Sequence, residues 1–251
     1  MLHIESKGTG TPLILLHGWG MNSGVWSQLS DLLSKNYQVY WLDLPGYGFS
    51  QPCSSLDWRQ TVDLLANSLP RGIWLGWSLG GLLAQQVAIS YPQKVMRLVT
   101  VASSARFVEQ PNWPGMKAQV LELFARSLVH DYQKTLERFL AIQTLGSPQA
   151  KADIQTIKKQ LEQRPLPDLS VLQQGLQWLA QIDLREQVQM IQAPWLQLYG
   201  HLDSLVPRQS QLMHAQLTQA QQHVFAKASH APFISHLNDF VSTLNHFLKV
   251  D

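Results

Sequence analysis

The sequence predicts an α/β fold in which a mostly parallel sheet is flanked by helices and interrupted by an inserted helical cap. Three observations carry this expectation. Residues 13–16 and 73–75 are short continuous apolar runs without polar alternation, as strands buried on both faces are. Such runs alternate with stretches whose apolar residues recur at helical spacing, and short loops join them. Between Ser104 and Trp195 no β-like run occurs at all, and only helical patterns remain.

Taken in order, residues 12–17 (Pro-Leu-Ile-Leu-Leu-His) form the first such run, ended by Gly18. His17-Gly18-Trp19-Gly20 then makes a glycine-flanked loop at its carboxyl end, able to turn a backbone N–H toward a ligand. Val25, Trp26, Leu29, Leu32 and Leu33 fall at helical spacing, residues 37–42 read as a second strand, and Asp43-Leu44-Pro45-Gly46-Tyr47-Gly48 closes it as a turn. Asp57 stands where a helix over 58–69 needs a cap.

The run at 73–75 leads into Gly76-Trp77-Ser78-Leu79-Gly80, and a helical pattern follows until Tyr91-Pro92. This is the G-x-S-x-G form of a nucleophile elbow. The serine sits on a turn too tight for side chains two residues away on either side, so Gly76 and Gly80 make room for it. Residues 97–102 read as the next strand.

From 106 to 182 the chain reads as helices only, over 116–129, 131–143, 150–163 and 169–182. A helical insertion between strands of an α/β sheet is expected to act as a lid. Its apolar faces (Leu121, Phe124, Leu128; Leu136, Phe139, Leu140; Leu172, Leu176, Leu179) must bury one another and the mouth of a pocket. Strand alternation resumes at 193–200, followed by the loop 201–207, a helix over 208–217, a short strand at 223–225, the loop 228–232 and a final helix. The expected organisation is a core of residues 1–105 and 183–251 with a cap of residues 106–182, and the site belongs at the carboxyl ends of the strands.

Composition excludes several functions. The net charge of +2 is too small for nucleic-acid binding by bulk electrostatics. A single cysteine, Cys53, permits no internal disulfide framework and no cysteine metal cluster, and it reads as an ordinary thiol. His201, His214, His223 and His236 lack H-x-x-H or H-E-x-x-H spacing, so no metal and no cofactor is expected. No run of about eighteen apolar residues occurs, and the amino terminus lacks a basic stretch followed by an apolar one. The expectation is a soluble cytoplasmic monomer with no membrane partner.

A serine hydroxyl is a poor nucleophile at neutral pH. It needs an imidazole to take its proton and a carboxylate to fix the imidazole's tautomer. Asp203, in the loop after the strand ending Leu198-Tyr199-Gly200, and His230, in the next such loop, supply these in the order Ser, Asp, His. Asp43 and Asp183 also stand near element ends and read as a turn organiser and a local cap or ion-pair partner. His17 reads as a backbone hydrogen-bonding group of its loop. This spacing fits an ester hydrolase, a carbon–carbon bond hydrolase, or a receptor that keeps the triad; a dehalogenase would need an aspartate at the place of Ser78.

The order of glycine-flanked loop, G-x-S-x-G, helical cap, G-x-x-D-x-x-x-P and late histidine resembles the α/β-hydrolase superfamily over essentially the whole chain. More narrowly, Leu16-His17-Gly18-Trp19-Gly20, Trp74-Leu75-Gly76-Trp77-Ser78-Leu79-Gly80-Gly81, Val99-Thr100-Val101-Ala102-Ser103-Ser104, Glu137-Arg138-Phe139-Leu140-Ala141-Ile142-Gln143 and residues 225–236 resemble the carboxylesterases that demethylate pimeloyl-acyl-carrier-protein methyl ester in biotin synthesis. The resemblance implies an α/β-hydrolase fold with Ser78 as nucleophile, His230 as general base and Asp203 as its orienter. By family geometry the backbone N–H groups of Leu79 and Trp19 form the oxyanion hole. It also places Trp19, Ser78, Leu79, Phe139, Leu140, Ala141, Ile142, Gln143 and His230 around the substrate. The implied partner is an acidic acyl carrier protein bearing a pimeloyl methyl ester, and Lys134, Arg138, Lys151, Lys158 and Lys159 are the candidate contacts.

Overall fold

The computed structural model describes residues 1–50, 56–144 and 149–249, so Cys53 lies outside the described residues. The chain runs β1 (Ile4–Lys7), β2 (Pro12–Leu16), α1 (Ser27–Leu33), β3 (Gln38–Leu42), α2 (Trp58–Ser68), β4 (Gly72–Trp77), α3 (Leu79–Ser90) and β5 (Val95–Val101). Four helices follow: α4 (Ala118–His130), α5 (Tyr132–Thr144), α6 (Ala150–Leu161) and α7 (Leu169–Gln181). The remainder is β6 (Trp195–Gly200), α8 (Arg208–Leu217), β7 (Gln221–Phe225), α9 (Pro232–Ser235) and α10 (Leu237–Leu248).

The strands form one sheet in the order β1-β3-β2-β4-β5-β6-β7. All neighbouring pairs are parallel except β1 with β3. The central strand β4 is buried at all six positions, which is why its sequence is apolar throughout rather than alternating. Its follower α3 is buried over most of its length and is largely apolar, with Gln85 the buried polar exception. Packing of α1 on α10 and of α2 on α3 builds the flanking layers. At the start of α2 the Asp57 carboxylate accepts the Gln60 N–H at 2.8 Å, and the Gln60 side chain accepts the Asp57 N–H at 3.0 Å, a reciprocal capping box.

Several elements differ from the sequence reading. Strand β1 is an additional antiparallel edge strand, pairing Ile4 with Leu42 and Lys7 with Val39. Three of its four residues are polar because they lie at the sheet margin, so no apolar run marks them. Residues 106–117 are not helical. They form an irregular excursion with bridges Val108–Met116 and Gln110–Trp113, tied by Trp113 Nε1 donating to the Arg106 carbonyl at 3.0 Å. The last helix is two, broken at His236, whose backbone leaves the helical region at φ −134° and ψ 45°.

In the insertion, α4 packs on α5 and α7, and α5 on α6. The apolar faces of α4, α5 and α7 are buried at all nine positions named from the sequence. Part of what they bury is the Trp19 ring, whose Nε1 donates to the Leu172 carbonyl at 2.8 Å. Helix α6 docks on the core through Asn22 Nδ2 donating to the Leu161 carbonyl at 3.1 Å and Gln160 Nε2 donating to Ser27 Oγ at 3.0 Å.

A very close backbone approach occurs where β4 meets α3. A Cβ on Gly76 would overlap the Gly80 carbonyl and stand 2.6 Å from Gly81 Cα, while one on Gly80 would overlap the Leu16 carbonyl. All of these neighbours are backbone and none can swing away. Gly76→Ala is therefore expected to lose about 2 kcal/mol or more of unfolding free energy, read from a urea titration.

Candidate active site

Ser78 stands between the last residue of β4 and the first of α3, with φ 55° and ψ −117°. A non-glycine residue in that region is strained, and the turn lifts its side chain off the sheet end. Its N–H is held by the Val101 carbonyl at 2.9 Å, so the strained residue is anchored to β5.

Asp203 follows β6. Its Oδ1 accepts the N–H groups of Leu205 and Val206 at 2.8 and 3.1 Å, and its Oδ2 faces His230 Nδ1 at 2.8 Å. Two backbone donors fix the carboxylate, so it presents one free oxygen in one direction. A carboxylate only accepts, which places the imidazole proton on Nδ1 and leaves a lone pair on Nε2. That Nε2 is buried with no hydrogen-bond partner among the described residues. The histidine is also held by its backbone: its carbonyl accepts Trp77 Nε1–H at 2.8 Å, and its N–H donates to the Gln143 carbonyl at 3.0 Å. Trp77 precedes Ser78, so the loop carrying His230 is fastened to the elbow itself.

The loop of Gly18 and Trp19 lies against the elbow. A Cβ on Gly18 would stand 3.2 Å from Ser78 Cβ. The Leu79 N–H is among the first-turn donors that a helix leaves unpaired. His17 sets this loop: its Nε2 accepts the Leu44 N–H at 3.0 Å and its Nδ1 donates to the Gly18 carbonyl at 2.8 Å. Burial pushes its pKa down to about 4, so it is neutral and bridges two turns rather than moving protons. Asp43 organises its own turn, its carboxylate accepting the N–H groups of Ser23 at 2.7 Å and Phe49 at 2.8 Å. Arg164, from the loop between α6 and α7, pairs with Asp43 at 3.2 Å and with Glu5. Asp183 pairs locally with Arg185 at 2.7 Å, and also with Arg106, distant in the chain, at 3.4 Å.

Of the α5 residues, Phe139 meets the Trp19 ring edge-on at 4.7 Å between centroids, and Leu140 and Gln143 are buried. Both side-chain amide atoms of Gln143 are buried and without partners among the described residues. Ile142 is half-buried. Ala141 is exposed, because its place on the helix turns it away from the side shared by residues 139, 140 and 143. Its side chain is thus not brought to the site. Phe124 of α4, named from the sequence only as part of an apolar face, packs on both Trp19 (6.4 Å) and Phe139 (5.6 Å). Its helical spacing gave no sign of that contact.

Lys134, Arg138, Lys151 and Lys159 are exposed on α5 and α6. Lys158 is less so, and its ammonium pairs with Glu137 at 2.8 Å, so its charge is matched within the chain. His214 is a core residue, fully buried with Nδ1 on the Tyr199 hydroxyl at 2.9 Å and its pKa pushed down to about 3 by burial.

A parallel sheet with a strained serine after its central strand, and a carboxylate–histidine pair on the loops after β6 and β7, defines the α/β-hydrolase class. The family model described as alpha/beta hydrolase fold matches residues 11–237. Among solved structures, an esterase from Exiguobacterium antarcticum superposes with a TM-score of 0.89 at 21% identity, covering 99% of this chain and 96% of that one. An enol-lactonase from Burkholderia xenovorans gives 0.86 at 19% identity, covering 99% and 96%. At such identities these two share the fold.

Curated relatives are nearer. One from Photobacterium profundum is 49% identical over 247 residues, 98% of this chain and 97% of the relative, and one from Shewanella woodyi is 48% identical over 252 residues, 99% and 98%. Both are named pimeloyl-[acyl-carrier protein] methyl ester esterase, and the chain belongs to that family of α/β-hydrolases.

The buried neutral His17 sets a pH dependence. The unfolded chain takes up the proton near pH 6.5, whereas the folded chain does so only near 4. Stability is therefore full above 6.5 and falls as pH drops through that window, by up to about 3 kcal/mol from this group. Denaturant titrations at pH 7 and pH 4.5 are expected to differ less for His17→Gln than for the parent.

Proposed function

We propose that the chain is a serine carboxylesterase that hydrolyses the methyl ester of pimeloyl-acyl carrier protein, releasing methanol and pimeloyl-acyl carrier protein for biotin synthesis in the cytoplasm. The observation that carries the chemistry is the buried Nε2 of His230, without a partner among the described residues, whose Nδ1 is committed to Asp203 at 2.8 Å. The substrate class rests on relatives that are 44–49% identical over nearly the whole chain and carry that name.

In the proposed reaction Ser78 Oγ adds to the ester carbonyl carbon while His230 Nε2 takes the hydroxyl proton. The carbonyl oxygen gains negative charge and is met by the N–H groups of Leu79 and Trp19. Collapse breaks the bond to the methoxy oxygen, which receives the proton from His230 and leaves as methanol. His230 then takes a proton from water, the resulting hydroxide adds to the acyl-enzyme, and the acid is freed as Ser78 recovers its proton. Asp203 keeps the imidazole in the required tautomer and stabilises the imidazolium.

A pimeloyl chain is a run of methylenes, each worth about 0.8 kcal/mol when buried. Trp19, Phe139, Phe124 and Leu140 supply the apolar wall. Gln143, whose buried amide has no partner among the described residues, is the polar group available among them. The carrier protein is proposed to dock on the cap at Lys134, Arg138, Lys151 and Lys159, with Lys158 contributing less because it is paired with Glu137.

Ser78→Ala is expected to lower kcat on p-nitrophenyl butyrate by about 10^4-fold or more. Parental turnover in that variant would refute the mechanism. Charge reversal at Lys134 and Arg138 together is expected to raise KM for methyl pimeloyl-carrier protein by about tenfold at low salt, because rim charges steer association. The same variant should hydrolyse the free ester at the parental rate.

A further inference from the structure

We propose that Ser103 is a positioning residue that aims the Leu79 N–H, an inference resting on the reading of Ser78 as nucleophile and Leu79 as oxyanion donor. The Ser78 carbonyl and the Leu79 N–H belong to one peptide group. A trans peptide is planar, with its C=O and N–H pointing in opposite directions, so whatever fixes the carbonyl also fixes the amide. Ser103 Oγ donates to the Ser78 carbonyl at 2.9 Å. The Ser78 carbonyl oxygen also accepts the N–H groups of Gly81 at 2.9 Å and Leu82 at 3.1 Å. Those two donors belong to the helix the serine opens and move with it. Ser103 comes from the end of β5 and ties the peptide to the sheet.

The hydroxyl is committed to this bond. Ser103 is fully buried. Its oxygen accepts Gln85 Nε2–H at 3.4 Å, and that same amide donates to the Gly81 carbonyl at 3.2 Å, which leaves the Ser103 proton for Ser78. Glycine at 81 admits the approach, since a Cβ there would stand 2.5 Å from Ser103 Cβ.

The backbone is bent to the same end. Ala102, at φ 46°, is the other non-glycine residue in the left-handed region among the described residues. It lies between the two groups that grip Ser78: the Val101 carbonyl on its N–H and the Ser103 hydroxyl on its C=O. Ala102 is itself pinned by donating its N–H to the Leu198 carbonyl at 2.8 Å. A left-handed residue at this point turns the chain so that both neighbours face the elbow. The bond to the carbonyl also polarises the peptide and makes its N–H a better donor.

The test compares the parent, Ser103→Ala, Gln85→Met and Ser78→Ala in the full chain. Hydrolysis of p-nitrophenyl butyrate is measured together with inhibition by an alkyl trifluoromethyl ketone, whose carbonyl carbon bonds to Ser78 Oγ and leaves an oxyanion; thermal denaturation checks the fold. Ser103→Ala is expected to lower kcat by about tenfold, part of the roughly hundredfold or more lost with a whole donor, with KM held within about twofold. Affinity for the ketone should weaken by the same factor as kcat. Gln85→Met frees the Ser103 hydroxyl to turn away and should give a smaller loss of the same pattern; it decides the matter if Ser103→Ala does not fold. An unchanged kcat, or a loss with ketone affinity at the parental value, overturns the role of Ser103. Parental activity in Ser78→Ala would instead show that the underlying reading of the site has failed.

Discussion

The left-handed backbone at Ser78 is the constraint from which the surrounding structure follows. Holding a non-glycine residue at φ 55° costs of order 1–3 kcal/mol, and such a conformation persists only where its neighbours over-determine it. Here they do so from three sides. Gly76 and Gly80 let β4 and α3 close on each other until only glycine fits. The end of β5 takes the Ser78 N–H on the Val101 carbonyl and supplies the Ser103 hydroxyl to its C=O. The loop after β2 passes close enough that Gly18 has no room for a large side chain against Ser78 Cβ.

Around this turn the site is assembled jointly by the sheet and the insertion. Trp19 belongs to the loop after β2, yet its indole N–H is satisfied by Leu172 of α7 and its ring by Phe124 and Phe139 of α4 and α5. His230 belongs to the loop after β7, yet its N–H rests on the Gln143 carbonyl of α5. Arg164 closes the other flank by reaching the buried Asp43 carboxylate, which in turn organises the turn beside His17. Breaking one partner of a buried pair of this kind is costly, because it strands the other charge. The insertion is thus fastened to the same residues that set the candidate catalytic groups, and its placement and theirs are coupled.

Much of this was legible in the sequence for physical reasons. Strands buried on both faces must be apolar throughout, so β2 and β4 announce themselves. A tight strand-to-helix turn needs glycines at fixed spacing, and Ser78, Asp203 and His230 stand after β4, β6 and β7 in the order the sequence reading expects. The rest depended on tertiary contact. Strand β1 is mostly polar because it pairs only at the margin, and the bridges within 106–117 carry no periodicity. Phe124 looks like any other residue of an apolar helical face until Trp19 is placed against it. The pairing of Lys158 with Glu137 joins residues on neighbouring helices, so charge spacing along one helix could not disclose it. Ser103 was visible only as part of a family-like string, and its contact with the Ser78 carbonyl required the fold.

The central claim is that the peptide between Ser78 and Leu79, together with the Trp19 amide, receives the charge that develops on the substrate oxygen. A crystal structure of the protein after reaction with an alkyl phosphonate ester tests it most directly. The account predicts a covalent adduct on Ser78 Oγ, with one phosphoryl oxygen about 2.7–3.1 Å from both the Leu79 and Trp19 nitrogens. An adduct on another residue, or a phosphoryl oxygen that turns away from both amides toward solvent, would contradict it.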